Sequence, residues 1–166
     1  ARIQEAHIFI GQTICEIVES KIIDWYMGCK VFVNGCFDLL HLGHIELLNK
    51  AKEYGDYLIV GINSNSSIKN LKGPSRPIFN SQYRKKMLLA LDSVDEVMIF
   101  SEANALNLIK KIKPDIYVKG SDYKNKKTPE TDFLLKLNKK IIYVDFHKNY
   151  SSTNIIAKII KKNGKA

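Results

Sequence analysis

Two histidines three residues apart, His41 and His44, close the run Asn34-Gly35-Cys36-Phe37-Asp38-Leu39-Leu40-His41-Leu42-Gly43-His44. At the start of a helix, imidazoles with that spacing can face one anion, and Gly43 lets the anion approach the backbone. The first-turn N–H groups and the helix dipole add positive potential at the same place. Such a site can grip phosphate oxygens, and hold them harder as charge builds, without a protein nucleophile. The same residues also suit backbone capping or a two-histidine metal site. No third Cys or His ligand lies close by in the sequence, which weighs against the metal. Two other phosphate cradles are absent: the chain holds no G-x-G-x-x-G and no G-x-x-x-x-G-K-[ST].

The elements that must position this run alternate regularly. Residues 30–34 (KVFVN) read as a strand, 43–54 as a helix ended by Gly55, and 57–62 (YLIVGI) as a buried parallel strand. A polar stretch at 63–80, rich in Asn, Ser, Lys, Gly and Pro, is too long for a plain connection and reads as a functional loop. Helices follow at 81–91, 103–112, 129–137 and 152–162, and strands at 96–100, 116–119 and 141–144. Strands alternating with helices predict an α/β fold, a doubly wound parallel sheet of βαβ units with right-handed crossovers. Ligands then belong at the carboxyl ends of the strands, in loops 34–43, 63–80, 119–128 and 145–152. Ahead of this single domain (30–166) lies an extension (1–29). Its capping-box pattern at Thr13–Glu16 opens an expected amphipathic helix at 13–27, with Ile14, Ile17, Val18, Ile22 and Trp25 on one face.

The chain of 166 residues carries 26 Lys and Arg against 17 Asp and Glu, a formal charge of +9. A basic balance favours polyanionic partners such as phosphorylated small molecules, nucleic acid or an anionic surface. It equally describes a solvated lysine face, as in the terminal run Lys158, Lys161, Lys162 and Lys165. The 45% hydrophobic content is enough for one core, and argues against disorder. Cys15, Cys29 and Cys36 form no C-x-x-C pair, which suits a reducing compartment. No apolar run approaches the ~18 residues of a membrane span, so a cytoplasmic protein without membrane contact is expected.

The segment from Gly35 to His44 resembles the signature of the H-x-G-H nucleotidyltransferases, the cytidylyltransferase-like superfamily. Within it, the chain is most similar to the heptose 1-phosphate adenylyltransferases. Leu71-Lys72-Gly73 with Arg76-Pro77-Ile78, Arg84, Val94-Asp95, Val118-Lys119-Gly120, Asp122-Tyr123 and the run from Ser151 to Ile156 carry that likeness in family order. The resemblance implies a Rossmann-like nucleotidyltransferase fold. It also implies transfer of AMP from ATP to D-glycero-β-D-manno-heptose 1-phosphate, giving ADP-heptose and pyrophosphate for lipopolysaccharide or related surface polysaccharide. His41, His44 and Lys72 would be catalytic. Asn34, Gly35, Cys36, Phe37, Gly43, Lys69, Arg84, Lys119, Gly120, Asp122, Ser151, Ser152 and Thr153 would bind nucleotide, and Asp38, Arg76 and Asp92 the sugar phosphate. Mg2+ would ride on the triphosphate, with no dedicated protein ligands.

Bland alternatives stand beside these roles. Lys69 and Lys72 also fit solvated loop charge, Arg76 and Arg84 surface ion pairs, and Ser151 to Thr153 an ordinary helix cap. Asn65 stands where relatives often carry Asp and receives no role, and Ser121 replaces a second family glycine. Two rival functions remain in view: a cytidylyltransferase using CTP and glycerol 3-phosphate, and a non-catalytic nucleotide- or RNA-binding module. The expected partners are a nucleoside triphosphate and a sugar phosphate, a second copy in a homodimer, and a heptose kinase, fused or separate, with no nucleic acid.

Overall fold

In a computed structural model the described residues are 13, 15, 18, 28–145 and 151–163. Five strands, β1 (Lys30–Gly35), β2 (Tyr57–Asn63), β3 (Glu96–Phe100), β4 (Ile116–Gly120) and β5 (Lys140–Val144), form one sheet in the order β3-β2-β1-β4-β5. Every pairing is parallel, for example Val33 with Val60 and Val31 with Ile116. The helices are α1 (Leu42–Lys52), α2 (Asn65–Lys72), α3 (Ser81–Leu89), α4 (Leu106–Ile112), α5 (Pro129–Lys136) and α6 (Ser152–Asn163), with a 3-10 turn at Ser121–Tyr123.

Strand periodicity divides the core between the two faces of the sheet. Val31, Val33, Leu58, Val60 and Ile62 pack with Leu48 of α1 and Leu88 of α3 on one side. Phe32, Ile59 and Tyr117 pack with Ile109 of α4 and Leu134 of α5 on the other. Helices on both faces explain why β4 is buried throughout, β2 from Leu58 onward and β1 over Val31–Val33. The strand order reverses beside β1, between β2 and β4, and the ligand crevice of a doubly wound sheet opens at that switch point.

Most predicted elements appear within a residue or two of their expected bounds, and two departures have local causes. The stretch 63–80 is no plain loop, because α2 fills its first half. Its sequence NSSIKNLK buries Ser67 and Ile68, and the Ser64 side chain caps it by accepting from the Ser67 amide. Tertiary burial of one face outweighed the weak helix preference of Asn and Ser. The helix expected from 103 starts only at Leu106, since the Asn104 side chain accepts from the Leu106 amide and Glu130 accepts from the Ala105 amide. The helix expected to reach 91 ends at Leu89. The expected 13–27 helix lies outside the described residues except for Thr13, Cys15 and Val18, which are helical and exposed.

Candidate active site

β1 delivers its last residues into a tightly held turn. Phe37 (φ 46) and Leu39 (φ 55) both adopt the left-handed region, which costs non-glycine residues about 1 kcal/mol or more each. The surroundings over-determine this backbone. Asp38 is buried, and its carboxylate accepts from Arg76 Nε (2.7 Å) and from the amides of Ile78 and Phe79 (3.0 Å each). Its carbonyl accepts from the Ser152 hydroxyl, which ties the start of α6 to the same turn. Arg84, fully buried, donates to the carbonyls of Phe79, Cys36 and Asn63 and to the Asn65 side chain. One guanidinium thus laces together the chain segments after β1 and β2.

That scaffold presents the two histidines. His41 occupies the N-cap position of α1, yet its side chain makes no capping bond; its carbonyl takes the His44 and Ile45 amides instead. The imidazole rings of His41 and His44 stack with centroids 3.6 Å apart and planes 19° from parallel, and Phe37 leans on His44 at 5.0 Å. Both Nδ1 atoms are buried without a hydrogen-bond partner. Burial pushes the His44 pKa down to about 3, helped by the neighbouring His41 and Lys72, and burial lowers that of His41 as well. Near neutral pH the pair is therefore uncharged, each ring with one N–H to donate. Stacked rings oppose double protonation, and an anion beside both would favour it. Among the described residues no cluster of three or more His, Cys, Asp or Glu side chains stands ready to hold a metal ion.

The crevice beside the pair has two lobes. The nearer one is lined by Val33, Phe37, His44 and Leu47 and rimmed by Asn34, Lys119, Gly120 and Asp122. Gly35 lets the Phe37 ring lie close to the strand end, since a Cβ there would stand 3.0 Å from that ring and press it aside. Lys119, largely buried, lies 4.3 Å over the Tyr123 ring, and desolvation lowers its pKa. The other lobe shares Asn34 to Cys36, Lys119 and Tyr123, and extends past Asn63 and Lys72 to Asn104 and Glu130. Lys72 also borders a groove with Ser75, Arg76 and Thr153. Ser151 caps α6 through the Asn154 amide, so the amino end of that helix faces the same region.

The sequence-derived candidates therefore separate. His41, His44, Lys72, Asn34 to Phe37, Gly43, Lys119, Gly120, Asp122 and Ser151 to Thr153 gather on or beside the crevice. Arg84 does not face it; its hydrogen bonds are spent inside the fold. Asp38 and Arg76, expected on the sugar phosphate, bind each other, and the Asp38 carboxylate is saturated by backbone amides. Asp92 is exposed at the amino edge of the sheet, between α3 and β3, on the opposite side from the crevice. Its neighbour Asp95 marks that edge by pairing with Lys52 and the Leu58 amide. Lys69 borders a separate groove with Pro77 to Asn80 and Tyr83. Asn65, given no role, holds the Ser81 amide and Arg84. Tyr117, Asn104 and Glu130 were missed; the last two follow the carboxyl ends of β3 and β4, where the doubly wound pattern itself directs attention.

Comparison with known proteins agrees with this geometry. The sequence model of the family described as Cytidylyltransferase-like matches residues 32–160. The Bifunctional protein HldE of Campylobacter fetus is 51% identical over 146 residues, covering 88% of this chain and 31% of its own length. That of Helicobacter pylori (strain P12) is 43% identical over 161 residues, covering 96% of this chain and 34% of its own. The chain thus spans about a third of the length of these curated relatives. Among solved structures, the lipopolysaccharide core biosynthesis protein from Thermoplasma volcanium is 30% identical with a TM-score of 0.59, covering 75% of this chain and 99% of its own. Pantothenate synthetase from Thermus thermophilus, 16% identical at a TM-score of 0.56 over 81% of this chain and 64% of its own, shares the fold.

Proposed function

Since the chain belongs to the cytidylyltransferase-like family, we propose that it transfers AMP from ATP to D-glycero-β-D-manno-heptose 1-phosphate, releasing pyrophosphate and making ADP-heptose for lipopolysaccharide or a related surface polysaccharide. The observation that carries this reading is the stacked His41–His44 pair at the head of α1, uncharged and with buried nitrogens unpartnered, at the carboxyl end of β1. In the reaction an anionic oxygen of the sugar phosphate forms a bond to the α-phosphorus while the bond to the pyrophosphate oxygen breaks. The nucleophile is already ionised, so the protein needs no general base and contributes position and charge stabilisation. His41 and His44 donate to α- and β-phosphate oxygens. Lys72 and the amino end of α6 at Ser151–Thr153 neutralise the departing pyrophosphate. Asn34, Gly35, Lys119, Gly120 and Asp122 receive the nucleoside. Mg2+ enters as part of the triphosphate substrate, bound by phosphate oxygens and water.

Bifunctional relatives support a further element of the reading, that a heptose kinase, fused or separate, supplies the sugar 1-phosphate. The catalytic unit starts at β1, and the preceding extension supports a homodimer: Val18, on the apolar stripe of the 13–27 segment, is helical and 48% exposed. The reaction needs nucleoside triphosphate and so belongs in the cytoplasm; no helix among the described residues is long and apolar enough to cross a membrane. A pyrophosphate-release panel crossing four nucleoside triphosphates with heptose 1-phosphate, glycerol 3-phosphate and other sugar phosphates tests the assignment. ATP with heptose 1-phosphate is expected to give the highest kcat/KM. A better result for CTP with glycerol 3-phosphate would keep the chemistry and overturn the heptose, and binding without any pyrophosphate release would overturn the enzyme.

A further inference from the structure

Both lobes of the crevice mix polar and apolar groups, and they share Asn34 to Cys36, Lys119 and Tyr123. The lobe beside His44 adds Val33, Phe37, Leu47 and Asp122. The other adds Asn63, Lys72, Asn104 and Glu130 beside Leu71, Phe100 and Ala103. From the polar side chains that the second lobe holds and the first does not, we propose that the second lobe is the acceptor subsite, in which Asn104 and Glu130 read the sugar hydroxyls and the phosphate lies toward Asn34 to Cys36.

Hydrogen-bond accounting fixes what each side chain can offer. Tyr117, buried, donates its hydroxyl to Asn34 Oδ1 at 2.6 Å, so the Asn34 carboxamide turns its NH2 outward. Asn104 Oδ1 is taken by the Leu106 amide at 3.1 Å, leaving its NH2 as the group offered to a ligand. Glu130 is 4% exposed; Oε1 is taken by the Ala105 amide at 3.0 Å, and Oε2 is the acceptor that remains. A buried carboxylate held at one oxygen and offering the other suits a hydroxyl donor. Both side chains border the same lobe, so they present one donor and one acceptor to one ligand. A polyhydroxylated ring matches that pairing, and glycerol 3-phosphate, with its short chain, engages less of it. Lys119 borders both lobes and Lys72 the second, so positive charge stands where the sugar phosphate meets the triphosphate. The lobes meet at Asn34 to Cys36, where donor and acceptor phosphates would come together.

This assignment rests on the nucleotidyl-transfer reading and replaces Asp38 and Asp92 as the groups that meet the sugar. Two nearly isosteric variants test it. Asn104→Asp keeps the oxygen that caps α4 but replaces the donor, and Glu130→Gln keeps Oε1 but replaces the free acceptor. With MgATP and heptose 1-phosphate, each is expected to raise KM for the sugar phosphate about tenfold or more and leave KM for ATP within about twofold. Melting temperatures near wild type keep the comparison to folded protein. A wild-type enzyme that releases pyrophosphate, with variants showing unchanged sugar-phosphate KM or a raised KM for ATP instead, would overturn the subsite alone. Absence of release from wild type with every sugar phosphate in the panel would overturn the transfer reading and the subsite together.

Discussion

His41 and His44 are rings whose value lies in being neutral and unpartnered until an anion arrives. Replacing either by Ala should cut turnover roughly 10²–10³-fold, the usual loss for one preorganised transition-state donor, with the melting temperature little changed. Near-normal turnover in either variant would remove the mechanism. The same burial sets a pH dependence of stability. His44 falls from 6.5 to about 3 on folding, so between those values the unfolded chain holds more protons than the native one. Stability must then rise with pH through that window and be lost as pH falls from about 6.5 toward 3. His44→Gln, which cannot take the proton, should give a shallower acid loss in melting curves than wild type. Arg84 belongs to a different class of residue. Arg84→Ala removes the donor from one buried and two half-buried carbonyls and should lower unfolding free energy by about 3 kcal/mol, read by denaturant titration. A nucleotide-binding arginine would instead leave stability alone and weaken ATP.

Among the elements, α2 is the one that moves chemistry into place, since it ends at Lys72 beside both the crevice and the Arg76–Thr153 groove. Its stop is Gly73, at φ 94 and ψ 168, a conformation open almost only to glycine. A Cβ there would meet nothing within 4 Å, so the effect of Gly73→Ala is pure backbone strain. The variant should lose about 1–3 kcal/mol in denaturant titration, and an unchanged midpoint would show that the turn has another conformation to adopt. Beyond Gly73 the chain is pinned again by the Asp38 carboxylate at Ile78 and Phe79. Ordering by nucleotide should therefore appear in hydrogen exchange at 69–75 rather than across all of 63–80.

At the scale of the whole molecule, the parallel sheet places every candidate side chain at one edge or the other, and only the carboxyl edge carries the crevice. A homodimer is expected by light scattering at tens of micromolar, because the sequence spacing of Ile14, Ile17, Val18, Ile22 and Trp25 predicts an apolar face that needs cover, either at an interface or against the chain's own core. A monomer under those conditions would sink the dimer. The sequence by itself determined the alternation of strands and helices, hence the doubly wound class, since hydrophobic periodicity is a local property of the chain. It also determined the histidine pair, because spacing along a helix converts directly into a shared face. Which charged residues border the crevice is visible only in the folded chain. Arg84 and Asp38 look like binding groups in one dimension, yet they close hydrogen bonds with backbone 5 to 48 residues away, and Arg76 pairs with the Asp38 carboxylate. Strand direction leaves Asp92 at the end of the sheet away from the crevice, and chain crossings bring Asn104 and Glu130 together from either side of β4. Periodicity reports which face a residue occupies, whereas the partner of a polar group is set by chain crossings that no local pattern encodes.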